Sequence, residues 1–438
     1  GQNGMYPDGS YIDHGFFAYA TGYGIDYVQE SADVVELLVG SNWPVDPAIL
    51  APFFEFTLLA YAPYVFDGDT FFYLHGRGLA NPGGQNHRVT YRIIRTYAQL
   101  AEIAPPVFAN GYRSLIKRYV NRTGYAGFYS GAGTVRSIKT VKSIATDANI
   151  PEAPQEIGAY VAHNMDRIAH RRPTWALGLS LSSSRVGRWE CVYGLNRKGW
   201  YQGEGMVYLL DSDYTRYHED FWPTVDSQRL PGTTVDTLPR TPAGNNPAEG
   251  ENTTTQDWVG GTYTPDGLYG AAGMSVASSV GSLVAKKSWF LFDNEVVFLG
   301  AGITASDGRA IETIVDNQKL NATGNNALLV NGSSQTTALG SDLNLSNVSR
   351  IHYTGNLGSQ IGYFFPQPAS VRVLREARTG KWSDIFSNGG AANITRNYLT
   401  TILNHGVNPT NQTYAYAMLP GFSSTQLNSY ATSPHFNV

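Results

Sequence analysis

Apolar positions recur at helical steps from Tyr27 to about Tyr119. Val34, Val35, Leu37 and Leu38 form one cluster, and Val89, Ile93, Ile94, Tyr97, Leu100 and Ala101 follow at three- and four-residue spacing, the signature of a helix with one buried face. Asn86 is the expected N-cap of that second helix and Pro105-Pro106 its end. Residues 131–154, rich in small and polar side chains, read as a linker. After Ile157 the period changes. TWALGLSLSSS, MVYLL, SWFLF, EVVFL and ALLVN are short alternating or wholly apolar runs separated by Gly, Asn and Asp, which predicts an extended antiparallel β-sandwich. Leu230 to Asp257, heavy in Pro, Thr, Asn and Gly, reads as a long surface loop.

A chain of 438 residues exceeds one ordinary core, so two or three domains are expected. Charged residues make up only 15% and aromatic residues 13%, a balance suited to stacking rings on sugars. The net charge of −4 gives no electrostatic case for nucleic acid or an anionic membrane, so an acidic ligand must meet a local basic cleft. Cys191 stands alone, which excludes an intrachain disulfide and cysteine-rich zinc sites. The histidines show no HExxH-like spacing, and neither a catalytic metal nor a cofactor is expected. No apolar run is long enough for a membrane helix; the nearest, Pro52 to Phe66, is broken by Glu55 and Pro63. Sequons at Asn121, Asn252, Asn321, Asn331, Asn344, Asn347, Asn393 and Asn411 exceed chance and point to a secreted, extracellular protein with N-linked glycans.

The segment DGSYIDHGFFAYATGYGIDY, Asp8 to Tyr27, concentrates chemistry. His14 and Tyr23 would face opposite ways on either a helix or a strand, so only an irregular backbone, supplied by Gly15, Gly22 and Gly24, brings both into one site. By composition alone the same segment fits a turn-rich loop whose aromatics cap a core. Glu190 and Glu204 could be imagined as a glycosidase pair, but any two carboxylates can.

This segment resembles the DGS-(F/Y)-x-x-H-x8-Tyr motif of polysaccharide lyase family 8, the hyaluronate, chondroitin AC and xanthan lyases. HGRGLANPGGQNH is similar to the family's RGRxxxR segment, HRRPTWALGLSLSSSR to its central strand pair and KGWYQGEGM to GWYxGDGM. KSWFLFDNEVVFLGAGI and NHGVNPTNQTYAYAMLPG resemble later blocks in the same order. The resemblance implies an α+β multidomain fold: the C-terminal part of an α/α toroid with the catalytic loop over residues 1–135, a large antiparallel β-sandwich over 150–366, and a truncated small β domain over 367–438.

It also implies β-elimination on a 1,4-linked uronate polymer. A uronate has a weakly acidic C5 proton beside its carboxylate, so the carboxylate must be neutralised, the proton taken and the leaving O4 protonated. By resemblance Tyr23 is the base and also the acid, Arg77 the cation beside it, and His14 holds the uronate or shares in proton transfer. A free tyrosine is ~0.1% ionised at pH 7, a cost of roughly 4 kcal/mol that a neighbouring cation must lower. Glu190 matches a family glutamate that interacts with the catalytic cluster.

Three positions depart from the pattern. Asn81 replaces the second arginine of RGRxxxR, His75 replaces its leading arginine, and Tyr193 replaces an asparagine three residues beyond Glu190. All three are candidate substrate contacts, with His75 equally readable as a surface residue. Arg167, His170, Arg171 and Arg172 form a basic cluster, readable also as salt bridges on a sheet edge. The departures resemble fungal family members that act on mannuronate-rich alginate, which makes a mannuronan lyase the expectation. Hyaluronan or chondroitin, then glucuronan or xanthan, are the alternatives. A non-catalytic carbohydrate-binding protein is the rival from another class. The family's catalytic Asn, carried on a helical segment N-terminal to the His/Tyr loop, has no match in this chain.

Overall fold

The computed structural model describes residues 2–125, 127–131, 133–244 and 251–437. It divides into two compact units, one reaching Glu156 and including Ala162–Met165, the other comprising Ile157–Val161 and the chain from Asp166 onward.

The first unit is helical. Helices α1 (Tyr23–Leu38), α2 (Pro47–Tyr61), α3 (Arg88–Ile103) and α4 (Pro106–Arg122) are its main elements. α3 is central, packing against α1, α4 and a further helix at Val135–Thr146. The periodic positions Val89, Ile93, Ile94, Tyr97, Leu100 and Ala101 are all buried, as the spacing predicts. Each large apolar side chain so buried contributes roughly 1.5–3 kcal/mol. Tyrosines serve this core because the ring fills space while the hydroxyl finds a backbone acceptor: Tyr97 donates to Thr57 O over 3.0 Å and Tyr112 to Phe54 O over 2.8 Å.

Several local expectations change. α1 begins at Tyr23 rather than Tyr27, and it buries Ile25, Val28, Ala32 and Val35 while Val34 and Leu37 are exposed. The N-cap of α3 is His87, in a left-handed conformation and without a side-chain cap, not Asn86. The expected linker contains the helix Val135–Thr146, because Thr134 and Ser137 form a capping box and Val141 and Ile144 supply a buried face.

The second unit is antiparallel β. Gly158–Ala162, Arg167–Arg171, Ala176–Ser180 and Met206–Leu210 form a four-stranded sheet in chain order. A second, twelve-stranded sheet includes Gly270–Ala277, Val284–Leu291, Val296–Thr304, Ala310–Lys319, Gln360–Gly380, Ile394–Val407 and Gln412–Pro420. One hydrophobic core takes Ile168, Leu177 and Leu209 from the first sheet and Met274, Trp289, Phe298 and Val315 from the second, which makes the unit a sandwich.

The surface loop expected at Leu230 to Asp257 begins instead as structure. Thr234–Asp236 is a buried strand pairing with Ala310–Lys319, its β-branched residues obscured in the sequence by the flanking Pro and Gly; 245–250 lie outside the described residues. The boundary expected between 366 and 367 falls inside the single strand Gln360–Gly380. Ile361–Phe364 pair with Gln412–Pro420 and Val371–Gly380 with Ile394–Val407. Pro366 and Pro368 lie in the hand-over between those partners, where a missing N–H breaks no ladder bond on that side. One strand therefore changes neighbour across the boundary that the resemblance implies.

Arg167, His170 and Arg171 lie on the second strand of the four-stranded sheet, not on its edge, and Arg172 follows just beyond that strand. Arg167 donates to Leu181 O over 2.7 Å, the His170 ring meets Phe292 O at 2.7 Å, and Arg172 pairs with Asp293.

Candidate active site

Tyr11–Asp13 and Phe17–Ala18 are paired strands, and His14 lies in the turn between them. His14 has φ 48° and Gly15 φ 83°, so the expected irregular backbone is present. Asp13 Oδ1 accepts from His14 N over 2.7 Å and Asn3 Oδ1 from Gly15 N over 2.7 Å, which hold the turn. Tyr23 is the first residue of α1, at the helix end whose dipole favours negative charge.

The turn Gly76–Ala80 carries Arg77 to both residues. Its Nη2 donates to the Tyr23 hydroxyl over 2.6 Å, and its Nη1 stands 3.4 Å from His14 Nδ1. The His14 and Tyr23 rings are 5.0 Å apart at 61°. A guanidinium thus lies where charge would develop on a phenolate oxygen, with an imidazole beside it.

Tyr19, which the sequence did not single out, forms the floor. Its buried ring lies 4.9 Å from the Tyr23 ring and 6.2 Å from that of His14, and the Arg77 guanidinium sits 5.7 Å from its centroid. A Cβ on Gly22 would fall 2.1 Å from the Tyr19 ring and one on Gly76, at φ +55°, 2.2 Å. Both glycines are required by close approach to this ring. A tyrosine three residues before a glycine in a Gly/Tyr-rich segment was the available signal.

His75 is only 4% exposed, its ring 4.7 Å from Phe72, so it is not a surface residue. Asn81 uses its Oδ1 to accept from Gly83 N over 2.8 Å. His75, Asn81 and Tyr23 all line a cavity of about 380 Å³.

Glu190 and Tyr193 belong to the second unit. Glu190 is 2% exposed, whereas Tyr193 is 82% exposed with φ 53°. Asn196 fixes the loop between them by donating to Glu190 O over 3.0 Å and exchanging reciprocal hydrogen bonds with Gln202, at 2.8 and 3.0 Å. Glu204 is tied to Arg188 at 2.5 Å, and burial pushes its carboxyl up, a structural role rather than half of a glycosidase pair.

A helical unit carrying a Tyr–Arg–His cluster, followed by a large antiparallel sandwich, is the architecture of a class of polysaccharide lyases. The model of the polysaccharide lyase family 8 N-terminal α-helical domain matches residues 1–118, and that of the family's super-sandwich domain matches 158–431. The chain belongs to polysaccharide lyase family 8.

It is 38% identical over 444 residues to a xanthan lyase of Bacillus sp. (strain GL1), covering 100% of this chain and 46% of that protein. It is 34% identical over 423 residues to a hyaluronate lyase of Thermasporomyces composti, covering 96% and 53%. The chain spans about half the length of these curated relatives. Among solved structures, a Paenibacillus xanthan lyase superposes with a TM-score of 0.93 at 35% identity over 99% of this chain and 41% of that one. A Streptomyces coelicolor A3 chondroitin AC lyase in complex with chondroitin sulphate does so with a TM-score of 0.86 at 31% identity, over 99% and 57%.

Proposed function

We propose that the protein cleaves a 1,4-linked uronate polysaccharide by β-elimination, with Tyr23 transferring the proton. The observation that carries this is the 2.6 Å hydrogen bond from Arg77 to the Tyr23 hydroxyl, with His14 beside it. Tyr23 Oη accepts the C5 proton, C4=C5 forms as the C4–O4 bond breaks, and the same oxygen returns the proton to O4. Arg77 stabilises the charge on Tyr23 Oη, and His14 orients the uronate. The products are a chain bearing a 4,5-unsaturated uronate and one ending in a new hydroxyl.

Similarity to proteins named xanthan lyase and hyaluronate lyase supports a glucuronate-containing substrate, in preference to the mannuronan expected from the departures at Asn81 and Tyr193. Glucuronate and mannuronate share their C4 and C5 configuration, so one tyrosine can serve either. The test is a side-by-side rate comparison of the full-length protein on xanthan, hyaluronan, chondroitin and polymannuronate, read as ultraviolet absorbance of unsaturated ends. Faster cleavage of polymannuronate than of all the glucuronate polymers would reverse the substrate assignment. Binding without new absorbance on any polymer would favour the non-catalytic carbohydrate-binding reading. The family's catalytic asparagine is proposed to lie on a helical segment outside residues 1–438, consistent with relatives about twice as long, and secretion with N-glycosylation is proposed from the sequons.

A further inference from the structure

The cavity beside Tyr23 carries a cation that the loss of the motif's second arginine does not predict. Arg88 and Arg92, on the first and second turns of α3, both line it. Arg92 is engaged by Asp26, the acid of the same lining. Arg88 is exposed, and among the described residues it makes no side-chain hydrogen bond or ion pair. Asn81 cannot compensate for the arginine it replaces, because its carbonyl oxygen is committed to Gly83 N and its amide carries no charge. The wall between Asn81 and Arg88 is open. A Cβ on Gly78 would meet nothing within 4 Å, and one on the exposed Gly83 would meet only the Asn81 side chain, 3.2 Å from its Oδ1. A sugar ring can therefore lie against backbone there, with Tyr23 at one end and Arg88 at the other.

We propose that Arg88 forms an oxyanion subsite for a carboxylate or sulfate on the sugar unit flanking the uronate that Tyr23 engages. The subsite rests on the lyase reading of the site and deepens it by naming the substrate feature it selects. The chemistry is that of a guanidinium fork against a planar or tetrahedral oxyanion, which two N–H groups can engage together. After the Arg92–Asp26 pair cancels, one net positive charge remains among the cavity's charged side chains, and it is Arg88 that supplies it. A neutral flanking sugar would leave it in water.

The test uses the full-length protein at 0.15 M salt, with Tyr23→Phe added to stop turnover, and measures hexasaccharide binding by calorimetry. Unsulfated chondroitin and chondroitin 4-sulfate differ only in the flanking oxyanion, and mannuronate hexasaccharide supplies a carboxylate on every unit. Arg88→Ala should weaken the sulfated and mannuronate ligands by ~10-fold and unsulfated chondroitin by no more than ~2-fold. Arg88→Lys should recover part of the loss. If only the sulfate or only the carboxylate responds, the subsite stands and its oxyanion is thereby identified. An equal loss on all three, no loss on any, or no binding of any by the parent would overturn the subsite. Failure of the lyase reading shows separately, as no ultraviolet absorbance from any polymer with the unmodified protein.

Discussion

Arg77 and Tyr23, 54 positions apart in the chain, are joined by a 2.6 Å hydrogen bond from the guanidinium Nη2 to the phenolic oxygen. The bond places a permanent cation at the one atom that must carry negative charge if Tyr23 is to remove a proton.

Tyr23→Phe should lower turnover by about 10³-fold or more, because it deletes the proton-transfer oxygen and keeps the ring against Tyr19 and His14. Arg77→Lys should cost about 10²-fold, since charge survives but the fork reaching both Tyr23 and His14 does not. Steady-state rates, with thermal unfolding as the folding control, check both; a loss of only a few fold at Tyr23 contradicts its role.

Gly76→Ala should damage stability and activity together. The new Cβ would lie 2.2 Å from the Tyr19 ring on a residue whose φ is +55°. We expect about 2 kcal/mol of destabilisation, read from the denaturant midpoint, and a fall in turnover as the Tyr19 floor and the adjacent Arg77 shift. Normal turnover in a folded Gly76→Ala protein would show that the floor does not position the site.

His170 should make the sandwich acid-sensitive. Burial, chiefly, and the nearby Arg172 push its imidazole down to about 4 from an ordinary 6.5. Between pH 6.5 and about 4 the unfolded chain binds a proton that the folded state refuses, so stability falls as pH falls through that window. The loss from this group reaches at most ~3 kcal/mol. Urea titrations across the window should show a shallower slope for His170→Gln, and unchanged slopes would remove His170 as the cause.

Lys287 should act in the alkaline range. It is 0% exposed, with Nζ close to Gly232 O and 3.4 Å from Glu204 O, and burial pushes it down to about 7 from 10.5. Between those values the unfolded chain holds a proton that the folded state has shed, so this group makes stability rise with pH. Below pH 7 the folded state bears the full cost of a buried ammonium. Lys287→Met should therefore compare better with the parent at pH 6 than at pH 9.5 in denaturant midpoints. A difference independent of pH would sink the assignment.

The periodicities of α3 and of the strands after Ile157 were legible because each is a local rule: one face of a helix or sheet must leave water. The same holds for the irregular turn at His14, since no regular element aims residues nine positions apart in one direction. The helix at Val135–Thr146 was hidden by its small and polar residues, which resemble a linker until Val141 and Ile144 have a surface to bury against. The boundary at 366/367 came from the resemblance alone, and only the assembled sheet decides that one strand runs through it, exchanging Gln412–Pro420 for Ile394–Val407 as its neighbour. In the site, the motifs named His14, Tyr23 and Arg77; Tyr19 left only a weak trace in its spacing to Gly22, and the cavity-facing Arg88 came from tertiary structure alone. Residue types and spacing determine what a side chain can do chemically. Which side chains share one cavity, and which of their charges cancel there, depends on contacts between segments far apart in the chain, and no local pattern encodes those distances.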